Sequence, residues 1–168
     1  MTGERADLAR ALAKQRHLLR RTVRGLTDEQ AAQRTTASEL CLGGLIKHVA
    51  MTERQWARFI VEGPSAMSGG WDSEAGAAAW LDGFRMVPGE TLDGLLARYA
   101  EVAGQTDELL AALPDLEVTH PLPEAPWFEA GASWSARQAL LHILAEISQH
   151  AGHADIIRES LDGAKSMG

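Results

Sequence analysis

The feature that most constrains this chain is helical periodicity that almost never gives way to alternation. Leu92, Leu95, Leu96, Tyr99, Val102, Ala103, Thr106, Leu109 and Leu110 recur at three-four spacing, with Thr91 placed to cap the start and Pro114 to close the end. Three further segments carry the same pattern. The first runs from about Glu4 to Arg24, with Leu8, Leu12, Gln15 and Leu19 on one stripe. Another runs from about Ser38 to Glu62, with Leu42, Leu45, Ile46, Val49, Trp56 and Ile60 in step, and Gly63-Pro64 stops it. The last runs from about Ser135 to Leu161, opened by a Ser135/Gln138 capping box and ended by Gly163. A short helical turn, Thr27 to Gln33, is marked by Thr27-Asp28-Glu29-Gln30, and strand-like alternation is confined to Leu116–Val118. Amphipathic helices bury their apolar stripes against one another, so the pattern predicts an all-α four-helix bundle, one domain over residues 1–168.

Two connections in that bundle are long. Residues 63–89 contain Gly69-Gly70-Trp71-Asp72 and an Ala-rich piece with the character of a short helix. Residues 114–134 hold Pro114, Pro121, Pro123 and Pro126 together with Trp127 and Trp134. Loops of this length inside a compact domain are more often functional or disordered than idle. Trp56, Trp71, Trp80, Trp127 and Trp134 are expected in the core or in a lid, some of them lining a pocket.

Composition narrows the function. A formal charge of −7 leaves no basic face for phosphate, which argues against nucleic acid. No apolar run approaches the roughly 20 residues that span a bilayer, and the opening MTGERADLAR has no apolar centre of the secretory kind. Cys41 is the single cysteine, so an internal disulfide is impossible and a reducing, cytoplasmic setting is the simple expectation. Cys41 stands near a helix start, where the helix field activates a thiol, but free cysteines are more often buried and inert.

The chemistry concentrates in the last helix. At about 100° per residue, His142 and His150 lie about 40° to either side of Glu146, and His153 about 20° from it. Four potential ligands therefore share a narrow stripe beside the apolar arc of Ala139, Ile143 and Ile157. Burying Glu146 as a carboxylate without a partner is expensive, and a metal ion removes that cost. Glu146 and His150 have the i, i+4 spacing at which two side chains reach one ion. A third donor must come from another helix, and His48, at the margin of the second helix's apolar face, is the candidate. Two histidines and one carboxylate suit either an open zinc site or the facial triad favoured by iron, with positions left for water or substrate. The competing reading is a polar rim of satisfied histidines. His17, beside Arg16, is expected at the surface, and Asp155, Arg158, Glu159 and Asp162 are spaced to pair among themselves.

Two strings then carry a family resemblance. Leu42-Gly43-Gly44-Leu45-Ile46-Lys47-His48-Val49-Ala50 and the stretch from Glu146-Ile147-Ser148-Gln149-His150 through Ala151-Gly152-His153-Ala154-Asp155 to Ile156-Ile157-Arg158-Glu159 resemble the DinB-like superfamily of four-helix-bundle metalloproteins. The resemblance covers nearly the whole chain. It implies a bundle with long crossover connections, a homodimeric assembly, and a divalent metal held by a His of the second long helix and two ligands four apart on the last. Glu146 in place of the more usual His matches the branch resembling mycothiol-dependent maleylpyruvate isomerase and the mycothiol S-transferases, where His, Glu and His bind zinc. On that pattern His48, Glu146 and His150 are the metal ligands. His153, where many relatives carry Gln, takes a catalytic supporting role by orienting a ligand or water, and His142 matches no ligand.

The activity implied is a metal-dependent S-transferase. A low-molecular-weight thiol, mycothiol or similar, is activated as a metal-bound thiolate and presented to a small-molecule electrophile. Zinc comes first and nickel or iron after it. Metal-dependent hydrolysis or isomerisation, and a non-catalytic bundle stapled by its metal, are the alternatives the residues leave open.

Overall fold

The computed structural model describes residues 3–67 and 74–166, so the expectation for Gly69-Gly70-Trp71-Asp72 lies outside the described residues. The chain forms α1 (Glu4–Arg21), α2 (Asp28–Ala32), α3 (Leu42–Glu62), a 3-10 turn at Gly63–Met67, α4 (Glu74–Asp82), α5 (Leu92–Ala112), β1 (Thr119–Pro121), β2 (Ser133–Ser135) and α6 (Ala136–Asp162). The helices start where sequence places caps. Thr27, Thr91 and Ser135 accept from the backbone N–H groups of Gln30, Gly94 and Gln138, and two of the three complete a capping box. Gly163, left-handed at φ 79°, ends α6.

Three boundaries differ from expectation, each for a local reason. Helix α3 begins at Leu42 rather than Ser38, because Thr36 and Ser38 bond each other's side chains and the Ser38 N–H, holding this stretch out of the helix. Helix α1 ends at Arg21, where the Thr22 hydroxyl turns back to the Leu19 carbonyl at 2.7 Å. The strand forms at Thr119–Pro121 rather than Leu116–Val118, because Asp115 accepts from the N–H groups of Glu117 and Val118 and makes that stretch a turn. Strand β1 then pairs antiparallel with β2, Thr119 opposite Ser135 and Pro121 opposite Ser133.

Four helices make the bundle, in the order α1, α6, α3, α5 around its axis. Their directions follow from end-to-end contacts. Arg137 pairs with Glu4 at 2.6 Å and Arg158 donates to the Thr22 carbonyl at 2.8 Å, so α1 and α6 run parallel. His48 lies beside His150 and Trp56 beside His142, so α3 and α6 run antiparallel. Lys47 meets Glu90 at the starts of α3 and α5, and Val61 and Leu109 line one cavity near their ends, so these two run parallel. Parallel neighbours force the chain leaving Glu62 to travel back the length of a 21-residue helix, about 30 Å. That crossover carries α4 and Phe84 along α3. Leu12, Leu19, Leu45, Ile46, Phe59, Leu95, Leu110, Leu140, Ile143 and Ile147 fill the centre, each less than 2% exposed. No helix among the described residues is long and apolar enough to cross a membrane.

One ionic group crosses the middle of the bundle. Arg16 of α1 is 3% exposed and Glu53 of α3 is 1% exposed. They face each other across the diagonal as a buried bidentate pair, and Arg16 Nη1 also donates to Asp107 of α5 at 2.8 Å. The Tyr99 ring lies beside this group with the Arg20 guanidinium 5.0 Å above it. Arg16→Met, which strands Glu53, is expected to cost about 3–5 kcal/mol in urea unfolding. Adding Glu53→Leu should recover most of that loss; an equal loss in the double variant would show that the stranded charge is not its cause.

Candidate metal centre

Antiparallel packing of α3 on α6 brings the early part of α3 against the middle of α6. His48, Glu146 and His150 meet there, with one potential ligand atom from each lying within 4.8 Å of the others. His48 Nε2 stands 3.8 Å and His150 Nε2 3.5 Å from the same oxygen, Glu146 Oε2. Donors held about 2.1 Å from a common tetrahedral centre stand roughly 3.4 Å apart, so nitrogens and carboxylate are spaced to close on one ion. The donor set is of the kind zinc, nickel and iron accept. His48 and His150 are buried and Glu146 is half-buried.

Electrostatics keep the donors in the form a cation needs. The imidazoles of His150 and His48, in that order, hold the Glu146 carboxyl far below the usual carboxylate range, against the opposing effect of burial. Burial depresses His48, with the Glu146 carboxylate partly offsetting it, so the imidazole stays neutral at neutral pH. Burial likewise depresses His142, and Glu146 again opposes the shift.

The supporting groups come from the crossover. The Phe84 ring stacks on His48 at 4.0 Å, and Trp80 stands edge-on to it at 5.4 Å. Neither was legible at this position in the sequence, but Gly43-Gly44 inside a helix was a usable signal. Glycine costs helix stability and marks close backbone approach. A Cβ on Gly44 would fall 1.9 Å from the Phe84 carbonyl oxygen, and one on Gly43 would fall 2.2 Å from Met86 Sδ. The paired glycines therefore let the crossover backbone lie directly on α3. Cys41, the N-cap of α3, is buried with Sγ 3.9 Å from the Phe84 carbonyl.

The other stripe residues flank the triad. His153 Nδ1 is 3.4 Å from His150 Nδ1, on the ring edge opposite the one facing Glu146. His142 stands outside the group of three, its Nε2 3.8 Å from Glu146 Oε1, with its ring against Trp56 and Trp134. At the far end of α6, Arg158 pairs with Asp162 at 2.8 Å while Asp155 accepts from the Ser166 N–H, and His17 is at the surface.

Two cavities open beside the triad. One, of about 270 Å³, is lined by His48, Thr52, Arg54, Gln55, Arg58 and Trp80 among others. The second, of about 180 Å³, is reached by Glu146 and His142 and walled by Trp56, Trp80, Trp127 and Phe128. Thr52, Gln55 and Trp80 border both. Of the tryptophans expected in core or lid, Trp56 is core and Trp134 half-buried, while Trp80 and Trp127 are exposed at the cavity rims. Trp71 lies outside the described residues.

A family model described as mycothiol-S-transferase matches residues 7–163, a stretch that contains all of these site residues. No curated protein matches the chain.

Protein incubated with zinc and dialysed is expected to retain about one ion per chain by elemental analysis, and His48→Ala/Glu146→Ala/His150→Ala none. Ligand histidines must be neutral, and His48 is depressed below its ordinary value of about 6.5. Protonation of His48 should therefore compete with zinc only as the pH falls below the ordinary imidazole range, and zinc should be lost as the pH falls further. Gly44→Ala, which pushes Phe84 away from His48, is expected to lower stability by about 1–3 kcal/mol and to weaken zinc retention, both read on one sample.

Proposed function

The chain belongs to the mycothiol-S-transferase family, and from that membership we propose that it joins a low-molecular-weight thiol, mycothiol or one like it, to a small electrophile. The observation that carries this reading is the meeting of His48, which lines one cavity, with Glu146, which lines the other, and with His150 beside them, room for two reactants near one cluster of donors. In the transfer, the thiol proton passes to solvent and a sulfur lone pair forms the S–C bond. The leaving group departs with the electron pair of the bond it held.

His48, Glu146 and His150 are the residues that would hold a divalent cation, zinc before nickel or iron. Such a cation, when bound, supplies Lewis-acid stabilisation that makes a thiol a thiolate at neutral pH. The chain's own residues set the conditions for this. Glu146 contributes the single negative charge among the donors, and Phe84 fixes the His48 ring by stacking on it. His153 is a positioning residue: its nitrogen, 3.4 Å from His150 Nδ1, holds that ring with Nε2 turned to Glu146. A cytoplasmic setting, where small thiols stay reduced, belongs to the same proposal.

The test is turnover of 1-chloro-2,4-dinitrobenzene by zinc-loaded protein, with mycothiol present and omitted. Conjugate and chloride should appear only with thiol. Release of chloride at the same rate without thiol would overturn the proposal in favour of hydrolysis. His153→Ala is expected to lower zinc affinity or turnover about 10- to 100-fold. His153→Gln, which still bonds the His150 nitrogen, should restore much of the loss, and a Gln variant as impaired as Ala would remove the positioning role.

A further inference from the structure

The smaller cavity has a chemical character of its own. Trp56 stacks on Trp134 at 4.7 Å and an interplanar angle of 24°, and Phe128 stands edge-on to both at 6.3 and 5.8 Å. Trp127 continues the series edge-on to Phe128 at 6.1 Å. This interlocked set joins α3 to the β1–β2 connection, so the cavity wall is pre-arranged. Two indoles at its rim are strongly exposed, Trp127 at 60% and Trp80 at 49%. Large apolar rings converging on one concavity are the mark of an apolar ligand's site.

Size and lining narrow the ligand. The cavity measures about 180 Å³, and an apolar cavity of about 150 Å³ takes one benzene. Neither Lys nor Arg lines it among the described residues, so its wall holds a ring by apolar contact. Arg54 and Arg58 instead line the neighbouring cavity, with Gln55 at the border of the two, and that space suits the polar partner.

We propose that the cavity walled by Trp56, Trp80, Trp127 and Phe128 is the electrophile subsite, and that it selects an electrophile built on a single aromatic ring. This assignment rests on the thiol-transfer reading above. The aromatic ring lies among the four side chains, and its reactive carbon is turned toward Glu146 and the donors beside it.

Equilibrium dialysis of the zinc-loaded full chain tests it, using unreactive 4-nitrobenzyl alcohol and the three-ring 9-anthracenemethanol, each read by its own absorbance. The single-ring alcohol is expected to bind saturably and the three-ring alcohol at least about tenfold more weakly. Trp127→Ala and Phe128→Ala should each weaken the single-ring alcohol about tenfold. Trp127 is 60% exposed, so its variant disturbs the fold least, and thermal unfolding checks both variants. Absence of saturable binding, equal affinity for the three-ring alcohol, or unchanged affinity in Trp127→Ala overturns the subsite. The measurement uses neither thiol nor turnover. Its failure leaves thiol-dependent conjugation standing, whereas failure of conjugation overturns the transfer reading while ring binding is still measured.

Discussion

A carboxylate taken partly out of water must be met by charge or by donors, and the arrangement around Glu146 answers that requirement. One oxygen faces His48 and His150, and the other faces His142. Each of these imidazoles comes from α3 or α6, so the demand of one side chain fixes the register in which two helices pack. Shifting α6 by one residue against α3 would turn Glu146 about 100° away and leave His48 facing an alanine or an isoleucine.

The topology supplies the rest of the site. Because α3 and α5 are parallel, the chain between them must run back along the bundle, and Trp80 and Phe84 ride on that return segment. The connection from α5 to α6 brings Trp127, Phe128 and Trp134 to the same region from the other side. Two long connections thus build the walls, while two helices supply the donors. The division is physically sensible: rigid elements hold polar groups in register, and loops shape the space above them.

The bundle holds a second buried polar group, and the two contrast in their needs. Arg16, Glu53 and Asp107 satisfy one another, with a guanidinium fork answering two carboxylates. The His48–Glu146–His150 group has no such permanent cation among its own side chains, and burial disfavours charging of the His48 ring. In the first group the buried pair of Arg16 and Glu53 is charge-neutral, with the half-exposed Asp107 at its edge, and it staples the diagonal. The second presents the Glu146 carboxylate at an open cavity, which is the electrostatic condition for attracting a cation.

Much of this was written in local sequence. The four helices, their caps and the inward stripe of Glu146, His150 and His153 follow from periodicity and turn chemistry, which act within a few residues. The boundaries that moved, at Ser38, Thr22 and Leu116, moved through side-chain bonds to nearby backbone that compete with helix and strand. What only tertiary structure decided was which distant residues meet. Arg16 with Glu53, Phe84 on His48, and the aromatic wall of Trp56, Phe128 and Trp127 depend on helix direction and on the path of two long connections. No spacing rule reaches across those distances. Gly43-Gly44 carried the trace of a close approach, but the identity of Phe84 as the neighbour required the crossover to be folded over α3.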